Sequence, residues 1–114
     1  MCGISGIISL NNELRDNDYS TVQRMSDSIS HRGPDQQKIK KFEKVILANN
    51  RLKIMDLDDR SSLPMSSNDE SVWICYNGEI SNFIELKNKY KLSEKYNFKG
   101  TSDTEVMIYL YKEL

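Results

Sequence analysis

Apolar and polar residues alternate along the chain in blocks that change period several times. A short apolar run from Ile4 to Leu10, closed by Asn11-Asn12, predicts a buried strand. The pattern then turns helical. Tyr19, Val22, Met25 and Ile29 recur at three- and four-residue spacing, which predicts a helix from Ser20 to near His31. Ser20 with Gln23 forms a capping box, while Gly33 and Pro34 give the stop. Residues 36–48 read as two strands, one with Ile39 and Phe42 and one over Val45–Ala48, turning at Glu43-Lys44. Residues 49–55 read as extended chain or loop, and residues 56–68, rich in Asp and Ser, as a surface loop. The continuous apolar run Val72–Tyr76 predicts a strand buried on both faces.

Asn77-Gly78 after a strand ordinarily signals a hairpin turn. The residues beyond it are helical instead: Asn82 with Glu85 can cap, and Phe83, Leu86 and Tyr90 share a face. The expected path is strand, turn, helix, and a sharp turn at a strand end presents backbone N–H groups. Ser102 with Glu105 makes another capping box, followed by an apolar row of Val106, Leu110 and Leu114 and a second of Met107 and Tyr111. That stripe is still running at Leu114 with no capping residue, so the final helix reads as cut off. Strands and helices together give an α+β class.

Bulk properties narrow the classes of function. The 114 residues suffice for one small domain, and 38% apolar with 29% charged is the composition of a folded globular chain. A net charge of -1 gives no electrostatic case for nucleic acid or an anionic membrane. No apolar run approaches the roughly 18–20 residues of a membrane span. The N-terminus lacks the basic start of a signal peptide, so Cys2 and Cys75 are read as reduced thiols and the compartment as cytoplasmic.

Cys2 is the candidate that stands out chemically. With Met1 removed it carries a thiol and a free α-amine on one carbon. Their reference pKa values are about 8.5 and about 7.7–8.0, so the amine can take the thiol's proton near neutral pH. The bland alternative is a small residue tolerated at position 2. Taken alone, Arg51 reads as a surface ion-pair residue and Asp103 as a residue that serves the helix start. His31, the only histidine, reads as ordering the loop around Cys2 together with Arg32 rather than as a catalytic base. Cys75 reads as an inert buried thiol.

Five segments in order carry a resemblance: Cys2-Gly3-Ile4, His31-Arg32-Gly33-Pro34-Asp35, Arg51-Leu52-Lys53-Ile54-Met55-Asp56, Asn77-Gly78-Glu79-Ile80 with Asn82, and Ser102-Asp103-Thr104-Glu105. Together they resemble the class II glutamine amidotransferase domain, within which the His31–Asp35 block is similar to the glutamine-hydrolysing asparagine synthetases. The resemblance implies Cys2 as nucleophile toward the side-chain amide of glutamine. It implies Asn77 (side chain) and Gly78 (backbone N–H) as the oxyanion hole, Arg51 for the substrate carboxylate and Asp103 for its ammonium. Leu52, Ile54, Met55 and Glu79 would complete the pocket. Three positions depart from the family pattern: Ser81 stands where tyrosine is usual, Leu63 where glutamine commonly precedes Pro64, and Asn50 where an acidic residue often precedes Arg51.

The fold so implied is an N-terminal-nucleophile hydrolase four-layer αββα sandwich, of which residues 1–114 would be a truncated part, with the synthetase domain absent. Glutamine hydrolysis would then need no cofactor, and ATP and Mg would belong to that other domain. Expected partners are glutamine, the rest of a synthetase chain, or a second copy through exposed strands. Two other readings stand beside this one: a non-catalytic remnant or partner-binding subunit, and an amidotransferase for another acceptor.

Overall fold

The computed structural model describes residues 2–52 and 62–114. Val45–Arg51 forms the middle strand of a three-stranded antiparallel sheet, β3, flanked by β1 (Gly3–Ile8) and β2 (Gln36–Lys41). Its β-branched start suits a pleated surface buried on both sides. Gly3 stands opposite Asn50 on one side, and Gln37 opposite Asn50 on the other. The turn between β2 and β3 is closed by the Phe42 N–H donating to Val45 C=O at 2.7 Å, at the Glu43-Lys44 position that the sequence suggests.

Alternation along β3 sorts its residues onto two faces. Ile46, Ala48 and Asn50 face α1 (Asp18–Ser28), where Ile46, Ala48 and Val22 form a small core with Ile7, Leu14 and Ile39 against it. The opposite face, with Asn49, is approached by a second, two-stranded sheet of β4 (Met65–Ser66) and β5 (Trp73–Ile74). Beyond that sheet lie α2 (Phe83–Lys89), α3 (Leu92–Lys95) and α4 (Asp103–Glu113). A larger core of Leu63, Met65, Leu92, Val106, Ile108 and Tyr109 joins these elements. Tyr109 stacks on Tyr96 with ring centres 4.4 Å apart and meets Phe98 edge-on at 5.0 Å. Phe83, Leu86 and Tyr90 face this core, as their spacing predicts.

Several expectations need correction. The first helix starts at Asp18, not Ser20, and its N-cap is Asn17. The Ser20 hydroxyl donates to Asn17 C=O at 2.9 Å, so the Ser20/Gln23 capping box does not form. Asn49, Asn50 and Arg51 are buried strand residues rather than loop. Of the surface loop expected over 56–68, residues 56–61 lie outside the described residues, and Leu63, Pro64, Met65 and Ser67 are buried. Leu63 is thereby explained, because an apolar side chain belongs where it packs in the larger core. The run Val72–Tyr76 is a strand only at Trp73–Ile74 and is half-buried throughout. On α4 the buried face is Val106, Ile108 and Tyr109, while Tyr111 and Leu114 are exposed. A helix contacted by α2, α3 and the small sheet together buries a wider arc than one row.

Gly33 is required, but not as a left-handed helix cap. Its φ is -144°, ordinary extended backbone, at the end of a 3-10 turn over Ser30–Arg32. A Cβ there would lie 2.2 Å from the carbonyl carbon of Asn50 and 2.5 Å from the Arg51 nitrogen. The chain after α1 thus passes directly against the β3 backbone, which only glycine permits. Cys75 sits between the layers, its Sγ 3.7 Å from Ala48 C=O, and burial pushes its thiol up to about 11.

Two outcomes follow from this packing. Gly33→Ala should lower stability by about 1–3 kcal/mol through backbone overpacking, read from the urea midpoint. Gly3→Ala, whose Cβ would meet only the movable tip of the Ile29 side chain, should cost less. Alkylation of Cys75 in the folded protein should stay slow at pH 8 and accelerate only as pH approaches 11, monitored by mass spectrometry of the modified peptide.

Candidate functional site

The β1–β3 register places Cys2, one step beyond the Gly3–Asn50 pair, opposite Arg51. The thiol is seated on the next residue of the partner segment. The Leu52 N–H donates to Cys2 Sγ at 3.3 Å, and Sγ lies 3.7 Å from Leu52 C=O as donor. A half-buried thiol is therefore held at the end of a sheet by backbone groups on the other strand.

The His31–Asp35 block holds both sides of this junction. Arg32 Nε donates to Cys2 C=O at 3.3 Å, and the Asp35 N–H donates to Arg51 C=O at 3.1 Å. Gly33 between them packs on the Asn50–Arg51 backbone. The expected ordering of the loop around Cys2 thus falls to Arg32 and the block's backbone, whereas His31 is exposed.

Arg51 is 5% exposed, so it is no surface ion-pair residue. By alternation it shares the face of Asn49, whose side chain reaches the second sheet. Asn49 Oδ1 accepts from the Tyr76 N–H at 3.1 Å, immediately before Asn77-Gly78. On the far side of the turn, the Ile80 N–H donates to Asp103 Oδ2 at 2.8 Å. Asn77, Gly78 and Glu79 between these two points are exposed. A Cβ on Gly78 would lie 2.8 Å from the Tyr76 hydroxyl, so the tyrosine ring covers one side of the turn. Burial, then the nearby Asp103 and Glu79 carboxylates, hold the Tyr76 hydroxyl above its usual range.

Asp103 is buried as the first residue of α4, where the helix dipole favours a carboxylate. The helix start is fixed as the Ser102/Glu105 spacing predicts, with the Glu105 N–H donating to Ser102 Oγ at 3.3 Å. The return half of the box differs. The Glu105 carboxylate accepts from Lys99 N–H at 2.7 Å and Gly100 N–H at 2.9 Å, tying down the preceding loop.

Cys2 is thus seated on Leu52, and Asn49 and Asp103 bond the two ends of the segment that holds Asn77, Gly78 and Glu79, while Ile54 and Met55 lie outside the described residues. Among the described residues, no three His, Cys, Asp or Glu side chains group as a metal site, and no helix is long and apolar enough to cross a membrane. Chemically these residues offer a half-buried thiol, a buried guanidinium, a buried carboxyl group and an exposed turn. Asn49 and Tyr76 are the members that motif spacing misses. The signal for Asn49 was present: an Asn pair continuing the strand Val45–Ala48 is unusual, because asparagine is depleted in strands.

The glutamine amidotransferase domain family matches residues 1–114. Glutamine-hydrolyzing asparagine synthetase 2 of Bacillus subtilis (strain 168) is 39% identical over 114 residues, covering 99% of this chain and 15% of the relative. Asparagine synthetase 1 of the same organism is 35% identical, covering 98% and 18%. The glutamine-hydrolyzing asparagine synthetase of Zea mays is 36% identical, covering 99% and 18%. The chain therefore spans less than a fifth of the length of these relatives. A match across the whole chain makes it a member of the glutamine amidotransferase domain family.

Proposed function

We propose that this chain is the glutaminase part of an asparagine synthase that uses glutamine as nitrogen donor. The observation that carries the reading is the seat of Cys2: its sulfur rests on the Leu52 backbone, one residue past the buried Arg51. Arg51 takes the substrate α-carboxylate through its planar fork, and Asp103 takes the α-ammonium. Gripping both ends holds the side-chain amide at the thiol. With Met1 removed, the α-amine of Cys2 accepts the thiol proton as sulfur attacks the amide carbon. The oxyanion that forms is met by the Asn77 side-chain amide and the Gly78 N–H. The protonated amine then delivers its proton to the departing nitrogen, releasing ammonia and leaving a thioester. Water hydrolyses the thioester to glutamate and restores the thiol. Glu79, Leu52, Ile54 and Met55 line the pocket. The ammonia would pass to aspartate activated by ATP and Mg in a separate synthetase domain, with residues 1–114 as part of the glutaminase domain.

We infer for the complete domain the four-layer αββα sandwich of N-terminal-nucleophile hydrolases. Support comes from the order of layers, α1, larger sheet, smaller sheet and helices. Ile4 and Ile8, on the face of β1 turned away from α1, are 53% and 64% exposed, as a sheet that continues in a longer chain would leave them. Further synthetase chain, or a second copy, would pack there. We place the protein in the cytoplasm, a setting in which thiols such as Cys2 and Cys75 stay reduced.

Purified protein should release ammonia from glutamine, and Cys2→Ala should abolish release; activity surviving that change would overturn the mechanism. Retention of Met1, detected by intact-mass measurement, would do the same, because it blocks the amine. Asn77→Ala should lower kcat by about 100- to 1,000-fold, the usual effect of removing one oxyanion donor. Arg51→Lys should act mainly on KM for glutamine, raising it about tenfold or more by loss of the bidentate contact.

A further inference from the structure

The exposed Asn77–Glu79 turn is anchored by groups that lie outside it. Its entry is fixed by the Tyr76 N–H on Asn49 Oδ1 at 3.1 Å, and its exit by the Ile80 N–H on Asp103 Oδ2 at 2.8 Å. The two acceptors come from different elements, the middle strand β3 and the start of α4. Both are withdrawn from water, Asn49 at 0% exposure and Asp103 at 6%. Neither can swing away easily. Asn49 Nδ2 donates to Asn50 C=O at 3.3 Å, and Asp103 is the first residue of a helix whose start is capped by Ser102. Leaving a buried acceptor without its donor costs about 1–3 kcal/mol, more when it is charged, so each bond resists opening.

We propose that Asn49 and Asp103 are positioning residues that clamp the Asn77–Gly78 turn from its two ends, so that β3 and α4 set the geometry of the oxyanion hole. The proposal rests on the glutaminase reading above and assigns Asn49 a part in it. Asp103 acquires two tasks. Oδ2 holds the Ile80 N–H, and Oδ1, which lies 3.5 Å from the Thr104 hydroxyl, takes the substrate ammonium. Recognition of the amine at one end of glutamine and shaping of the hole at the other therefore share one side chain. Tyr76, whose ring lies over Gly78, follows whatever Asn49 does to its backbone.

The two tasks of Asp103 separate by substitution. Asp103→Asn keeps an acceptor for the Ile80 N–H and removes the charge; Asp103→Ala removes both. In the full chain, both should raise KM for glutamine. The alanine variant should in addition show kcat at least about tenfold below the asparagine variant, a part of the loss that deleting an oxyanion donor produces. Asn49→Leu, close in volume but lacking the acceptor, should lower kcat with KM within about twofold of wild type. Amide hydrogen exchange in ligand-free protein gives a readout that needs no turnover. Ile80 should exchange about tenfold faster in Asp103→Ala but not in Asp103→Asn, and Tyr76 faster in Asn49→Leu. Equal kcat and equal Ile80 exchange in the two Asp103 variants would overturn the clamp. Should Asn49→Leu fail to fold, the Asp103 pair alone decides it. Absence of ammonia release from glutamine by the wild-type full chain would instead remove the glutaminase reading, and the exchange result would still report on the clamp.

Discussion

Two buried amides in the middle strand place the surrounding elements. Asn49 and Asn50 are both at 0% exposure and, being adjacent in a strand, point to opposite faces. A buried amide without partners is expensive, so each must find them. Asn50 finds Ser26 of α1: its Oδ1 accepts from the serine hydroxyl at 2.7 Å and its Nδ2 donates to the serine carbonyl at 3.2 Å. Gln37, across the sheet, donates to the same hydroxyl at 2.9 Å. Asn49 finds the Tyr76 N–H on the other side. One strand thereby specifies the position of the helix behind it and of the turn in front of it. The departure from an acidic residue at position 50 acquires a reason, since an ionised carboxylate facing Ser26 at full burial would lack a counter-charge among these partners.

The His31–Asp35 block complements this from the sheet end. Its glycine lets backbone touch backbone, and its arginine and Asp35 N–H bond the carbonyls of Cys2 and Arg51. The block bonds the main chain of Cys2 and of Arg51, which holds the two residues in mutual register while His31 stays exposed.

The candidate site residues are divided between two sides of the structure, each with its own core. One core binds α1 to the larger sheet; the other binds α2–α4 to the smaller one. Cys2 and Arg51 belong to the first side, Asp103 to the second, and Asn49 with Tyr76 crosses between them. The turn that joins the two sides is anchored by its Tyr76 and Ile80 N–H groups.

Periodicity and turn chemistry made much of this legible in advance. The strand after Cys2, the β2–β3 hairpin, the helix face of Phe83, Leu86 and Tyr90, and the Ser102 cap are local matters, decided by spacing and by short-range hydrogen bonds. So was the family, because its motifs are short and ordered, and the whole-chain match agrees with it. Residues 49–51 could not be read as core from their polarity, since what makes asparagine and arginine tolerable there are partners from distant segments. The same holds for Leu63 and Met65, buried in a stretch whose Asp and Ser content suggested solvent, and for the real role of Gly33. Local sequence determined which elements form and which chemistry is present. Only the tertiary structure decided which polar groups could be buried, because the acceptor or donor that satisfies each is brought to it by folding.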